Sequence, residues 1–84
     1  MNLIESNKLI LAAVGKLNRI SEKKFMHMHD SEEKEYYIIH KIGEEIASNY
    51  ELARKINDVL YFDLFKKGVV NVFLREDEEL FNSL

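Results

Sequence analysis

The 84-residue sequence contains no cysteine, no proline and no tryptophan, and only three glycines. Without cysteine there is no disulfide framework, no thiolate nucleophile and no Cys-ligated zinc or iron–sulfur site. Without proline, no X–Pro restriction interrupts a helix. Gly15, Gly43 and Gly68 are left as the strong breakers of regular structure. Long apolar runs are missing too. The longest, residues 9–14, falls far short of the roughly 18 to 20 residues that cross a bilayer. It also makes a poor secretory signal, because Glu5 precedes it and Lys16 and Arg19 follow it. The expected setting is the cytoplasm, with no membrane contact. There is no Gly-x-Ser-x-Gly turn, no His-Glu-x-x-His pair and no Gly-rich phosphate loop. Four of the five serines (Ser6, Ser21, Ser31 and Ser48) fall where helix starts are expected, and capping explains them. An enzyme is not expected, and no cofactor is called for.

What remains is enough to fold. A hydrophobic share of 46% with a net charge of only -3 argues against disorder and for one domain over residues 1–84. Near this size only about 60% of the chain's surface is buried, so the domain is marginal alone and self-association is expected. Leu3, Ile10, Ala13, Val14, Leu17 and Ile20 form an apolar stripe that predicts a helix over 3–20. Residues 25–29 alternate in type from Met26 onward, which is the period of a strand. Asp30 and Glu33 read as a capping box opening a second helix that runs to about 47 and buries Tyr36, Ile39, Ile42 and Ile46. A further capping box over 48–51 predicts a bend and a third helix, closed by Lys66, Lys67 and the Gly68 cap. Residues 69–74 are ambiguous: their β-branched, apolar character favours a strand, whereas Phe73, Leu80 and Leu84 at helical spacing favour a helix to the C-terminus. A short helix is expected over about 76–83. The expected fold is mainly α: a compact bundle of three to four helices, with room for a small two-stranded β ribbon between 25–29 and 69–74.

Several side-chain groupings invite a function. In an extended segment His27 and His29 point the same way and can share a metal, with Met26, Met28 and Asp30 beside them and His40 as a further ligand. On a helix, His40 and Glu44 would be neighbours and form an ion pair when the imidazole is protonated. Residues 1–30 carry five basic and three acidic groups, against seven and twelve in 31–84. The basic excess lies at Lys16, Arg19, Lys23 and Lys24, a candidate phosphate-contacting patch for a small DNA-binding regulator. Residues 51–70 loosely resemble the helix-turn-helix and first wing of winged-helix regulators. The spacing is too short for two helices and a turn, however, and Asp58 and Asp63 would repel phosphate. No family is assigned.

The packing signals are broader. Gly43 and Ala47, and Gly15 with Ala12, offer smooth strips for a close helix approach that would offset the roughly 1 kcal/mol a helical glycine costs. Tyr61, Phe62 and Phe65 add aromatic surface that short helices cannot all hide, and Phe81 lies beside the acidic run 76–79. The expectation is a small, acidic protein–protein interaction module, an adaptor or inhibitor of the kind phages and plasmids carry, working as a homodimer. Its expected interface is Gly43, Ala47, Tyr61, Phe62, Phe65 and Phe81. A DNA-binding regulator and a metal protein built on His27 and His29 are the alternatives.

Overall fold

The computed structural model describes residues 2–21 and 25–83. The chain runs α1 (Leu3–Ser21), β1 (Phe25–Asp30), β2 (Glu35–His40), α2 (Gly43–Ser48), α3 (Tyr50–Val59), a π-helical turn (Leu60–Leu64), a 3-10 turn (Phe65–Lys67), β3 (Val72–Glu76) and α4 (Glu78–Asn82). The sheet has the order β1-β2-β3, antiparallel between β1 and β2 and parallel between β2 and β3. This α+β layout overturns the expected helical bundle with a two-stranded ribbon. The two segments proposed for the ribbon are indeed strands, but they do not pair with each other. β2 lies between them, in a stretch expected to be helical.

The capping box at Asp30 and Glu33 marks a turn, not a helix. Asp30 Oδ1 accepts the Glu32 and Glu33 N–H groups at 3.1 and 3.2 Å, and Lys34 takes a positive φ of 56° to close the hairpin. The chain that follows, Glu-Tyr-Tyr-Ile-Ile-His, is aromatic and β-branched, which suits a pleated strand. As the middle strand, β2 buries Ile38 and Ile39, which point to opposite faces, and so shows no polar alternation to betray its period. Ile39, Ile42 and Ile46 share helical spacing by coincidence: Ile39 is on the strand and Ile46 on α2.

One face of the sheet carries Phe25, Tyr36 and Ile38 against α1 and α3. Together with Ile10, Ala13, Val14, Leu17, Ile42, Ile56, Leu64 and Val69 they make the core. Of the stripe predicted for α1, Ile10, Ala13, Val14 and Leu17 land inside, whereas Leu3 is exposed and Ile20 half-buried. Asn2 caps its start, with Oδ1 accepting the Glu5 N–H at 2.9 Å. Its last turns reach β1 through Asn18, whose side chain accepts the Phe25 N–H at 2.8 Å and donates to the Phe25 carbonyl at 3.2 Å.

The bend before α3 occurs as expected, with Asn49 as the cap: its Oδ1 accepts the Leu52 N–H at 3.1 Å. Residues 50–67 then continue as one helical rod whose hydrogen bonding changes register. The Phe65 N–H reaches back to the Leu60 carbonyl, and the wider turn restores Leu64 to the line of Ile56, so both are buried. Gly68 ends the rod with φ 97°, the left-handed conformation that only glycine adopts freely.

Candidate interaction surface

The wide turn that sends Leu64 inward sends its neighbours out. Tyr61, Phe62 and Phe65 are 50%, 51% and 56% exposed. They pack on one another: Tyr61 and Phe62 meet edge to face at 5.0 Å between centroids, and Tyr61 and Phe65 stack at 5.9 Å. Lys66 holds its ammonium 5.5 Å from the Phe62 ring centre. Beside this cluster a groove of about 330 Å³ runs between the helical rod and β3. Buried Leu64 and Val69 line it with half-buried Leu60; Tyr61, Phe65, Val70 and Leu74 are its exposed apolar members, and exposed Asn57 lies at its side. Among the described residues no charged side chain lines it.

The other expected contact residues fall elsewhere. Gly43 opens α2, and a Cβ there would collide with the Glu76 carboxylate. Its smallness serves a contact inside the molecule, between α2 and the end of β3, and not a helix from outside. Ala47 is exposed on α2, whereas Phe81 is half-buried with Lys41 Nζ 5.7 Å from its ring centre. The structure therefore unites Tyr61, Phe62 and Phe65 and leaves Gly43, Ala47 and Phe81 outside that cluster. Nothing in the local pattern marks the other half of the surface, exposed Val70 and Leu74, because the fold alone places the edge strand and its approach beside the rod.

The histidines are arranged differently from any of the motifs. His27 and His29 do share a face of β1, opposite Ile38 and Tyr36. His29 lies against the Tyr36 ring, with centroids 4.5 Å apart. Among the described residues no three His, Asp or Glu side chains gather into a metal-binding group. His40 is on β2, not on a helix with Glu44, so the expected ion pair is replaced. Its Nδ1 accepts the Ile42 N–H at 3.2 Å inside the protein, its ring faces Phe25, and its register partner is Glu76. Burial pushes the His40 pKa down, partly offset by the Glu76 carboxylate. Of the expected basic patch, Lys16 is held by Asp63 at 2.8 Å and Arg19 is exposed, whereas Lys23 and Lys24 lie outside the described residues. The loose resemblance to a winged helix also fails in space, because residues 50–67 are one rod with no turn between two helices.

Comparison with protein-family models, with curated proteins and with solved structures returned no match, so the chemistry of this surface is read from its own side chains. Among the described residues, no helix is long and apolar enough to cross a membrane.

Proposed function

We propose that this chain is a small non-enzymatic protein–protein interaction module, an adaptor or inhibitor in kind, that works as a homodimer. Its contact surface is the aromatic side of the 60–67 segment together with the groove beside β3. The observation that supports this reading is the continuity of three half-exposed, mutually packed rings with an uncharged apolar groove. Isolated exposed apolar residues are ordinary on a protein surface, whereas a contiguous aromatic patch marks a partner site. A π-helical turn is itself rare, and here it is the element that turns the rings outward.

The test compares the wild-type chain with the combined Tyr61→Ser, Phe62→Ser and Phe65→Ser variant. Sedimentation at micromolar concentration reads self-association, and affinity capture from the cells that make the protein reads any other partner. All three substitutions lie on exposed rings, so the variant is expected to fold and to lose the contacts of the wild type. A folded variant that keeps every one of them sinks the reading.

A further inference from the structure

β3 is an edge strand, and its hydrogen-bond parity is fixed by the bonds at its two ends. The Tyr36 N–H donates to the Asn71 carbonyl, and the Asp77 N–H donates to the His40 carbonyl, both at 2.9 Å. In a parallel ladder alternate residues turn both backbone groups to the same side. Asn71, Phe73, Arg75 and Asp77 therefore address β2, and Val72, Leu74 and Glu76 turn their N–H and C=O groups to the open edge. The far edge of the sheet is capped at its first residue, where Asn18 takes both backbone groups of Phe25. β3 (Val-Phe-Leu-Arg-Glu) carries no proline or lysine, and its register with β2 runs without a bulge. Proline, lysine and bulges are among the devices that keep a strand edge from pairing, and the charges β3 does carry, Arg75 and Glu76, occupy its last two positions.

Resting on the reading above, we infer that the occupant of this edge is β3 of a second copy. It runs antiparallel across a two-fold axis at Leu74, so that two three-stranded sheets become one of six strands. The charge pattern along β3 admits a second copy without opposing like charges and sets the axis. Outward residues must oppose outward residues, so the axis passes through a residue position. An axis at Arg75 would oppose two guanidinium groups, and an axis at Glu76 two carboxylates, both destabilising. An axis at Phe73 would pull Glu76 opposite Val70, outside the strand. Leu74 is the middle residue of β3, and an axis there engages all three outward residues. Leu74 meets its own copy, each Glu76 meets Val72, and each Arg75 lies opposite the exposed Phe73 ring of the other copy. Each of the three outward pairs exchanges two N–H···O bonds. A two-fold axis normal to the sheet keeps the helices of both copies on one side. The uncharged grooves, with Tyr61, Phe65 and Val70, then lie on either side of the seam. Such a groove matches an identical apolar surface and offers no charge to a charged peptide.

The experiment uses the full chain, with sedimentation as the readout and circular dichroism as the check on folding. Leu74→Lys and Leu74→Glu each place like charges directly opposite across the axis. Each is expected to sediment as a monomer at concentrations where the wild type is a dimer. Mixed in equal amounts, the two are expected to reform a dimer, because opposite charges then face each other. Val72→Pro removes only an outward N–H, leaves the β2 ladder intact and is likewise expected to be monomeric. Leu74→Cys, in a chain with no other cysteine, is expected to give a covalent dimer on mild oxidation, because a hydrogen-bonded pair sits about 5.5 Å apart between Cα atoms, within disulfide reach. Val70→Cys is not. A wild-type chain that stays monomeric throughout the micromolar range overturns the inference, and with it the homodimer. A wild-type dimer that ignores both charges at position 74 overturns the edge pairing alone, leaving the aromatic surface to be judged by its own triple variant.

Discussion

The amide of Asn18 closes the edge of β1 from a helix, supplying at Phe25 the donor and acceptor that a further strand would bring. Asn18→Ala leaves a part-buried N–H and C=O without partners and is expected to lower stability by about 1–3 kcal/mol in urea denaturation. Asn18→Asp keeps the acceptor and should lose less; equal stability of all three chains would refute the role. His40 makes the second prediction at this scale. Its folded pKa lies below the ordinary histidine value because burial disfavours the cation, so below about 6.5 the unfolded chain takes up the proton more readily than the folded one. Stability is therefore unaffected by His40 above that pH and falls as the pH drops below it. His40→Asn retains an acceptor for the Ile42 N–H and cannot titrate, so its melting temperature should vary less between pH 7 and pH 5 than that of the wild type. An unchanged pH slope would assign the effect to other groups. Neither residue's role was legible in the sequence. The amide of Asn18 and the imidazole of His40 bond groups set by the sheet, which helical periodicity does not encode.

At the scale of elements, the two ends of legibility are α1 and β2. The apolar stripe of α1 faces one side of one neighbour layer, so its 3.6-residue period survives into the structure. β2 buries Ile38 and Ile39 on opposite faces, so its sequence has no polar alternation to read, and the adjacent capping pattern at Asp30 fits a tight turn as well as a helix start. Glycine shows how the element decides the sign of one substitution. In α1 a Cβ on Gly15 would meet nothing closer than the Arg19 guanidinium at 3.6 Å, an ordinary contact. Gly15→Ala should stabilise the chain by about 0.5–1 kcal/mol, through helix propensity and a less free unfolded state. At Gly68 the backbone is left-handed, and Gly68→Ala should destabilise it by roughly 1–2 kcal/mol. Thermal melts of the two variants should move in opposite directions. A shared direction would show that the rod does not end as described.

For the whole molecule, the distribution of protection follows from the layer order. Ile38 and Ile39 on the middle strand have no exposed surface, whereas Val72, Leu74 and Glu76 present their amides outward. Amide exchange should be slowest along β2 and fast at those three positions in dilute solution. Raising the protein concentration should slow exchange at the same three positions if β3 pairs with its copy, and leave them fast if it does not. The second face of the sheet adds to the unburied apolar surface: Met28 and Phe73 are 42% and 46% exposed there. A chain of this size lacks the secondary structure to cover both faces of a sheet, which is the physical content of its high apolar share.

The sequence by itself determined the helix α1, the bend before α3 and the Gly68 stop, and it offered strand character for both outer strands while leaving residues 69–74 open to a helix. Each rests on interactions between residues close in the chain: a stripe, a cap, a left-handed glycine, a run of β-branched side chains. It also marked Tyr61, Phe62 and Phe65 as more aromatic surface than a small core absorbs. Only the tertiary structure decided that residues 35–40 form the middle of a sheet, that Gly43 makes room for Glu76, and that β3 ends the sheet with a free edge. Those outcomes depend on which distant segments meet, and strand pairing is a bond between backbones that no local pattern of side chains specifies.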